Sequence, residues 1–136
     1  MSRILVIEDD QRIRELVCKH LAEEGHLVTS KSSGLEALRA ITEDKPEVLI
    51  LDLGLPDLDG LDLLKMARSI TEIPVLVLTA REDEDTILKA FSVGADDYVV
   101  KPVSGPQLSA RVEALMRRSK NDSSETLKIG DLEILL

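Results

Sequence analysis

The chain has no tryptophan, one tyrosine and one phenylalanine among its 136 residues. Its core cannot rest on aromatic rings and must be packed from aliphatic side chains. The 43% of hydrophobic residues suffices for one domain with a real core, and little more. A lone Tyr98 at the start of an apolar run is therefore worth noting as something other than filling. The single cysteine, Cys18, excludes an internal disulfide and fits a reducing, cytoplasmic setting. No long apolar stretch and no signal-peptide pattern is present, so a soluble chain that meets no membrane is expected. Positive charge is scarce as well. With 17 Lys and Arg against 26 Asp and Glu, the net charge is −9, which argues against a basic face that grips nucleic acid.

What the chain does have is a set of short apolar runs, each ending on a polar residue. Ile4 to Ile7 leads into Glu8, Asp9 and Asp10; Val48 to Leu51 ends on Asp52. Val75 to Leu78 ends on Thr79, and Tyr98 to Val100 ends on Lys101. Continuous apolar runs of this length read as strands buried on both faces, which is the mark of a parallel sheet covered by helices. Helical spacing fills the intervals. Ile13, Leu16, Val17 and Leu21 recur along a first helix that Gly25 ends. His26 to Ser30 reads as a weak edge strand. A second helix spans Ser33 to about Glu43 and stops before Pro46. Further helices are predicted over Leu61–Ser69, Asp83–Val93 and from Pro106 to Arg118. Five strand–helix repeats define an α/β domain with a doubly wound five-stranded parallel sheet, and the two weakest strands at the edges fit the flavodoxin-like order 2-1-3-4-5. The domain is expected over 1–118. Polar 119–126 reads as a linker, and 127–136 as the first strand of a further domain, cut off here.

In an open parallel sheet the working site lies outside the carboxyl ends of the strands. The acid cluster, Asp52, Thr79 and Lys101 should therefore meet at one rim. A carboxylate there can accept a phosphoryl group if a cation neutralises the crowded oxygens. Magnesium suits Glu8, Asp9 and Asp52, because it prefers hard oxygens and relieves the repulsion of clustered acids. Lys101 can pair with Asp52, and Thr79 can donate to a phosphoryl oxygen. Each has an ordinary reading too. Asp52 alone would pass for a capping or loop aspartate, Asp10 for a helix cap, Lys101 for a solvated lysine, and Thr79 for a strand residue. Strand periodicity leaves open which of Glu8 and Asp9 points into the site. Cys18, His20 and His26 match no zinc spacing and receive no chemistry.

With these residues in place, the segments ILVIEDD, VLILDLGLPDLDG, IPVLVLTAR and GADDYVVKP resemble the receiver domain of two-component response regulators. The resemblance covers residues 3–118. DLGLPDLDG, GADDY and the tail LKIGDLEI resemble the OmpR/PhoB-type winged-helix transcription-factor branch. The resemblance implies a regulatory phosphoacceptor rather than an enzyme acting on other molecules. Asp52 would take phosphate from a sensor histidine kinase. Asp9, Asp52 and the Gly54 carbonyl would hold Mg2+, with Glu8 acting through a bound water. Lys101, Thr79 and the Ala80 N–H would hold phosphoryl oxygens, Tyr98 would follow Thr79 inward, and the bond before Pro102 would be cis. DNA would be bound only through the missing C-terminal domain.

The sequence also departs from the pattern. Val103 replaces the usual Phe, and Gly54 offers no side chain to an attacking water. On the dimer face of this branch, Ile87 and Gln107 replace one ion pair, while Ser92 and Glu113 replace another. Asp97 and Arg111 keep the third, with Asp96 and Arg118 available to add to it, so a weak homodimer that forms on phosphorylation is expected. Two other readings compete: a stand-alone receiver that signals by protein binding, and a phosphatase of the haloacid-dehalogenase type. The second would want an Asp where Gly54 stands.

Overall fold

The computed structural model describes residues 2–132, with side chains for 2–118. Strands and helices alternate throughout: β1 (Arg3–Ile7), α1 (Gln11–Glu23), β2 (Leu27–Lys31), α2 (Gly34–Asp44), β3 (Val48–Leu51), α3 (Gly60–Ile70), β4 (Val75–Thr79), α4 (Glu84–Val93), β5 (Asp97–Val100) and α5 (Gly105–Leu132). The strands form one parallel sheet in the order β2-β1-β3-β4-β5. Both the class and the order are those predicted from the sequence.

Period-two alternation sorts the strand residues onto two faces. Leu5, Ile7, Leu49, Leu51, Val75 and Val77 pack against Ala37, Ile41, Leu63, Leu64 and Ala90 from α2, α3 and α4. Ile4, Val6, Val48, Ile50, Leu76 and Leu78 pack against Val17, Leu21, Leu108, Val112 and Leu115 from α1 and α5. Every residue of β3 and β4 is buried, which is why those strands read as uninterrupted apolar runs. The edges differ. β2 is half exposed throughout, and only Val99 of β5 is buried.

The helix ends follow local chemistry. Asp10, Ser33, Asp59 and Asp83 cap α1, α2, α3 and α4, each accepting a backbone N–H of the first turn. Ser33 and Asp83 are therefore caps rather than the first helical residues that periodicity suggests. Gly25 follows α1 at φ +92°, and Lys45 ends α2 in the left-handed region at φ 47°. There the Arg3 Nε donates to the Lys45 carbonyl at 3.2 Å.

At the other end of the chain, α5 continues past Arg118, where the sequence stops the final helix. Helical backbone runs through 119–126, expected to be a linker, and through 127–132, expected to begin a strand. No proline or glycine occurs in 107–129, so nothing interrupts a helix that is already nucleated. Residues 133–136, the rest of the expected strand, lie outside the described residues.

Candidate functional site

The register of the central strands builds the site. β1 and β3 pair with Ile4 opposite Val48 and Ile7 opposite Leu51, and the Asp52 N–H donates to the Ile7 carbonyl at 2.9 Å. Glu8 stands four residues beyond Ile4, and Asp52 four beyond Val48. The two acids are thus brought side by side at the carboxyl rim. Thr79 ends β4, fully buried, and Lys101 follows β5 with its N–H on the Thr79 carbonyl at 2.8 Å. The peptide bond from Lys101 to Pro102 is cis.

The Lys101 Nζ reaches back across the end of β4. It lies 2.5 Å from a Glu8 Oε1 and 3.3 Å from an Asp52 Oδ2. Both acids are nearly inaccessible, at 4% for Glu8 and 8% for Asp52. Two carboxylates out of water with one ammonium between them cannot be equally ionised. Burial pushes the Glu8 carboxyl up, against the pull of Lys101, and the neighbouring Asp52 pushes it further. Burial would raise Asp52 as well. Hydrogen bonding from Glu8, the Lys101 charge, Thr79 and the Gly54 N–H outweigh it and hold Asp52 below the usual carboxylate range. Asp52 is thereby kept ionised, while Glu8 carries the cost of the shared burial.

This asymmetry has a measurable consequence without metal. Glu8 has a raised folded-state pKa, so its contribution to stability is complete at pH values below 4.5, its ordinary value, and is lost as pH rises through the folded value. Metal-free protein should therefore unfold at progressively lower urea concentration as pH climbs above that range. Glu8→Gln should flatten the high-pH limb. A limb that is unchanged in the variant would mean that another group causes it.

Other predicted residues take varied places. Asp9 is exposed at the rim. Asp10 is a helix cap, its Oδ1 accepting the Ile13 N–H at 3.1 Å. The Gly54 N–H donates to an Asp52 Oδ1 at 3.3 Å, and Ala80 is exposed beyond Thr79. Tyr98 lies over the β4–α4 loop, its hydroxyl donating to the Arg81 carbonyl at 2.7 Å and its ring centroid 6.4 Å from that of Phe91. Among the described residues, no three carboxylate, imidazole or thiol side chains form a ready-made metal cage. Magnesium rarely uses one: it is held by one or two carboxylates and keeps several waters. The hard oxygens at this rim, with three acids against one lysine, fit that habit.

The residues expected on a dimer face are partly engaged within the chain. An Arg111 Nη1 binds Asp97 at 2.9 and 3.1 Å. Asp96, which the sequence sets beside Arg118, has a different job. Its Oδ2 accepts the Val75 N–H and the Arg68 Nη2, both at 2.8 Å. The reason is local: the start of β4 has an N–H that no strand partner takes, and a carboxylate satisfies it. Ile87 is half-buried, whereas Gln107, Arg111 and Arg118 are exposed.

Three residues that pattern reasoning passed over also matter. They are Arg68 in α3 and Asp57 and Arg81 in loops, whose bonds follow no periodicity. Glu8, already a candidate from the sequence, is turned into the site by its equal spacing with Asp52 along paired strands.

The doubly wound sheet thus brings acids, a threonine and a lysine together on its carboxyl rim. Consistent with it, the model of the response regulator receiver domain matches residues 4–113, and the chain belongs to that family. It is 38% identical over 134 residues to the transcriptional regulatory protein AfsQ1 of Streptomyces coelicolor, covering 98% of this chain and 60% of that protein. It is 41% identical over 135 residues to the virulence transcriptional regulatory protein PhoP of Salmonella typhi, covering 98% and 60%. A two-component response regulator from Clostridium difficile superposes with a TM-score of 0.85 at 31% identity, covering 88% of this chain and 98% of that one. The chain thus spans about 60% of the length of the curated relatives it matches. Their names, those of transcriptional regulators, agree with the OmpR/PhoB-type branch read from the sequence.

Proposed function

We propose that the chain is the phosphorylation-controlled part of a transcription factor, in which Asp52 accepts a phosphoryl group from a sensor histidine kinase. The observation that carries this reading is the convergence of Glu8, Asp52, Thr79 and Lys101 on one rim. Asp52 is the ionised nucleophile: its carboxylate oxygen forms the new bond to phosphorus, and the phosphorus bond to the histidine nitrogen breaks. Mg2+ would be held by Asp9, Asp52 and the Gly54 carbonyl, with Glu8 reaching it through water, and would supply charge neutralisation for the transferring group. Lys101 is positioned to hold a phosphoryl oxygen, and the Thr79 hydroxyl and the Ala80 N–H to hold others. A Thr79 drawn toward the phosphate opens room for Tyr98, which links the chemistry to the face of α4, β5 and α5. The setting is cytoplasmic. Among the described residues no helix is long and apolar enough to cross a membrane. DNA is contacted through an output domain distinct from 1–118.

The test is intact-mass measurement after incubation with acetyl phosphate. One phosphoryl group should be gained with magnesium present and none after chelation. Uptake that ignores chelation would remove the metal from the reading. Lys101→Ala should still be phosphorylated but should not switch. Amide shifts around Thr79 and Tyr98 should move on adding beryllofluoride to the wild type and stay put in the variant. Equal movement at matched occupancy would show that Lys101 does not couple the two.

Dimerisation should be weak. Exposed ion pairs are worth about 1 kcal/mol or less, and the Asp97–Arg111 pair is already made within one chain. Sedimentation velocity should show a monomer that dimerises weakly with beryllofluoride and fails to do so as Arg111→Glu. A tight dimer indifferent to that substitution would place the contact on another surface.

A further inference from the structure

The amino end of α2 has a complete set of partners, and one of them comes from a distant segment. A helix leaves its first N–H groups without partners inside the helix. In α2 the Glu36 N–H goes to the Ser33 Oγ at 3.4 Å. The two before it go elsewhere: the Gly34 N–H donates to an Asp57 Oδ1 at 2.8 Å and the Leu35 N–H to its Oδ2 at 3.0 Å. Asp57 lies in the β3–α3 loop, 53–60, which begins directly after Asp52. Its carboxyl is held below the usual range by those two backbone bonds. Leu58 presses on the same spot. A Cβ on Gly34 would stand 2.7 Å from its Cδ1 and 3.1 Å from its Cβ, so any larger residue there must push Leu58 aside.

The loop is closed at its base too. The Gly60 N–H donates to the Leu53 carbonyl at 3.0 Å, Gly54 bridges Asp59, and a Cβ on Gly60 would come within 2.3 Å of the Leu53 Cα. Between these closures the loop offers two things to the site. The Gly54 N–H holds an Asp52 Oδ1, and the Gly54 carbonyl is a proposed magnesium ligand. The base alone fixes one end of the loop. The Asp57 bonds and the Leu58 contact fix its far side against a helix of the rigid core.

We infer that Asp57 is a positioning residue for phosphoryl transfer, docking the 53–60 loop on α2 so that Gly54 presents its carbonyl and N–H in register with Asp52. This rests on the magnesium reading given above. Groups that orient metal ligands from outside typically change affinity about tenfold or more when removed, and Asp57 acts through the backbone in that way. It touches neither the phosphoryl group nor the metal.

The experiment separates docking from metal binding. Hydrogen exchange of the Gly34 and Leu35 amides, measured without metal, reports the docking. Magnesium titration followed by amide shifts, and acetyl phosphate transfer against magnesium concentration, report its use. In Asp57→Ala the two amides should lose protection. The magnesium concentration for half-maximal transfer should rise about tenfold, with the rate at saturating magnesium unchanged. Asp57→Asn, which keeps one acceptor, should fall between. Gly34→Ala, which displaces Leu58 but leaves the carboxylate, should weaken magnesium binding in the same direction and covers the case in which Asp57→Ala fails to fold. Protection lost with magnesium affinity unchanged would overturn the inference and leave the metal reading standing. Protection retained in Asp57→Ala would also overturn it. A wild-type chain that binds no magnesium would sink the metal reading, and this inference with it, before any variant is made.

Discussion

Asp52→Asn is expected to abolish phosphoryl uptake outright while leaving a folded protein. The substitution keeps the shape of the side chain but replaces the carboxylate by an amide, which cannot open the acyl-phosphate route at neutral pH. The fold should tolerate it because Lys101 retains its 2.5 Å contact with Glu8. The Gly54 N–H still finds an oxygen. Removing one of two buried acids also relieves the pressure that raises Glu8. Mass spectra after acetyl phosphate and magnesium should thus show one added group in the wild type and none in the variant. A stoichiometric, acid-labile adduct on the variant would place the acceptor elsewhere.

The second large effect concerns stability and lies far from the rim. Arg68, in the last turn of α3, spends its guanidinium on backbone. Its Nε and Nη2 donate to the Gly94 carbonyl at 2.9 and 2.6 Å, its Nη1 donates to the Ile73 carbonyl at 2.6 Å, and its Nη2 also meets Asp96. One planar fork therefore ties α3 to the turn before β4 and the turn before β5. Gly94 sits at φ +131° with no room for a Cβ, which would lie 2.7 Å from the Arg68 Nε. Arg68→Ala strands two half-buried carbonyls and leaves Asp96 with the Val75 N–H alone. The expected loss is about 3 kcal/mol, read from urea unfolding without metal. Arg68→Lys should recover little, since one ammonium cannot reach three acceptors. A loss below about 1 kcal/mol would mean that water replaces these bonds freely.

How much of this could be read without coordinates depends on what each residue answers to. β3 and β4 announced themselves because both faces are buried and every side chain before Thr79 is aliphatic. β2, half exposed, carries no such signature and lies one residue later than His26–Ser30 suggests. Asp52, Thr79 and Lys101 were legible as residues ending matched strands. The closeness of Lys101 to Glu8 was not, since it depends on how far a long side chain reaches over the end of β4. Asp57 and Arg68 serve backbone groups tens of residues away, and side chains that bond to distant main chain leave no period to detect. Asp96 was assigned to the surface by its neighbours, whereas an unmatched N–H at Val75 decides its place. The end of α5 was hidden for the opposite reason: polar composition suggests that the helix stops at Arg118, but polarity alone does not break a helix.

The scarcity of rings gives this chain an unusual optical property. Its near-ultraviolet spectrum is carried almost wholly by Tyr98, the one phenol, and that phenol is hydrogen-bonded to the Arg81 carbonyl on the loop leaving Thr79. Burial raises its pKa, so an alkaline titration of the intact protein follows a single group against a dark background. The molecule carries a built-in dye at the proposed switch, and its own ellipticity can follow any turn of that ring without a label.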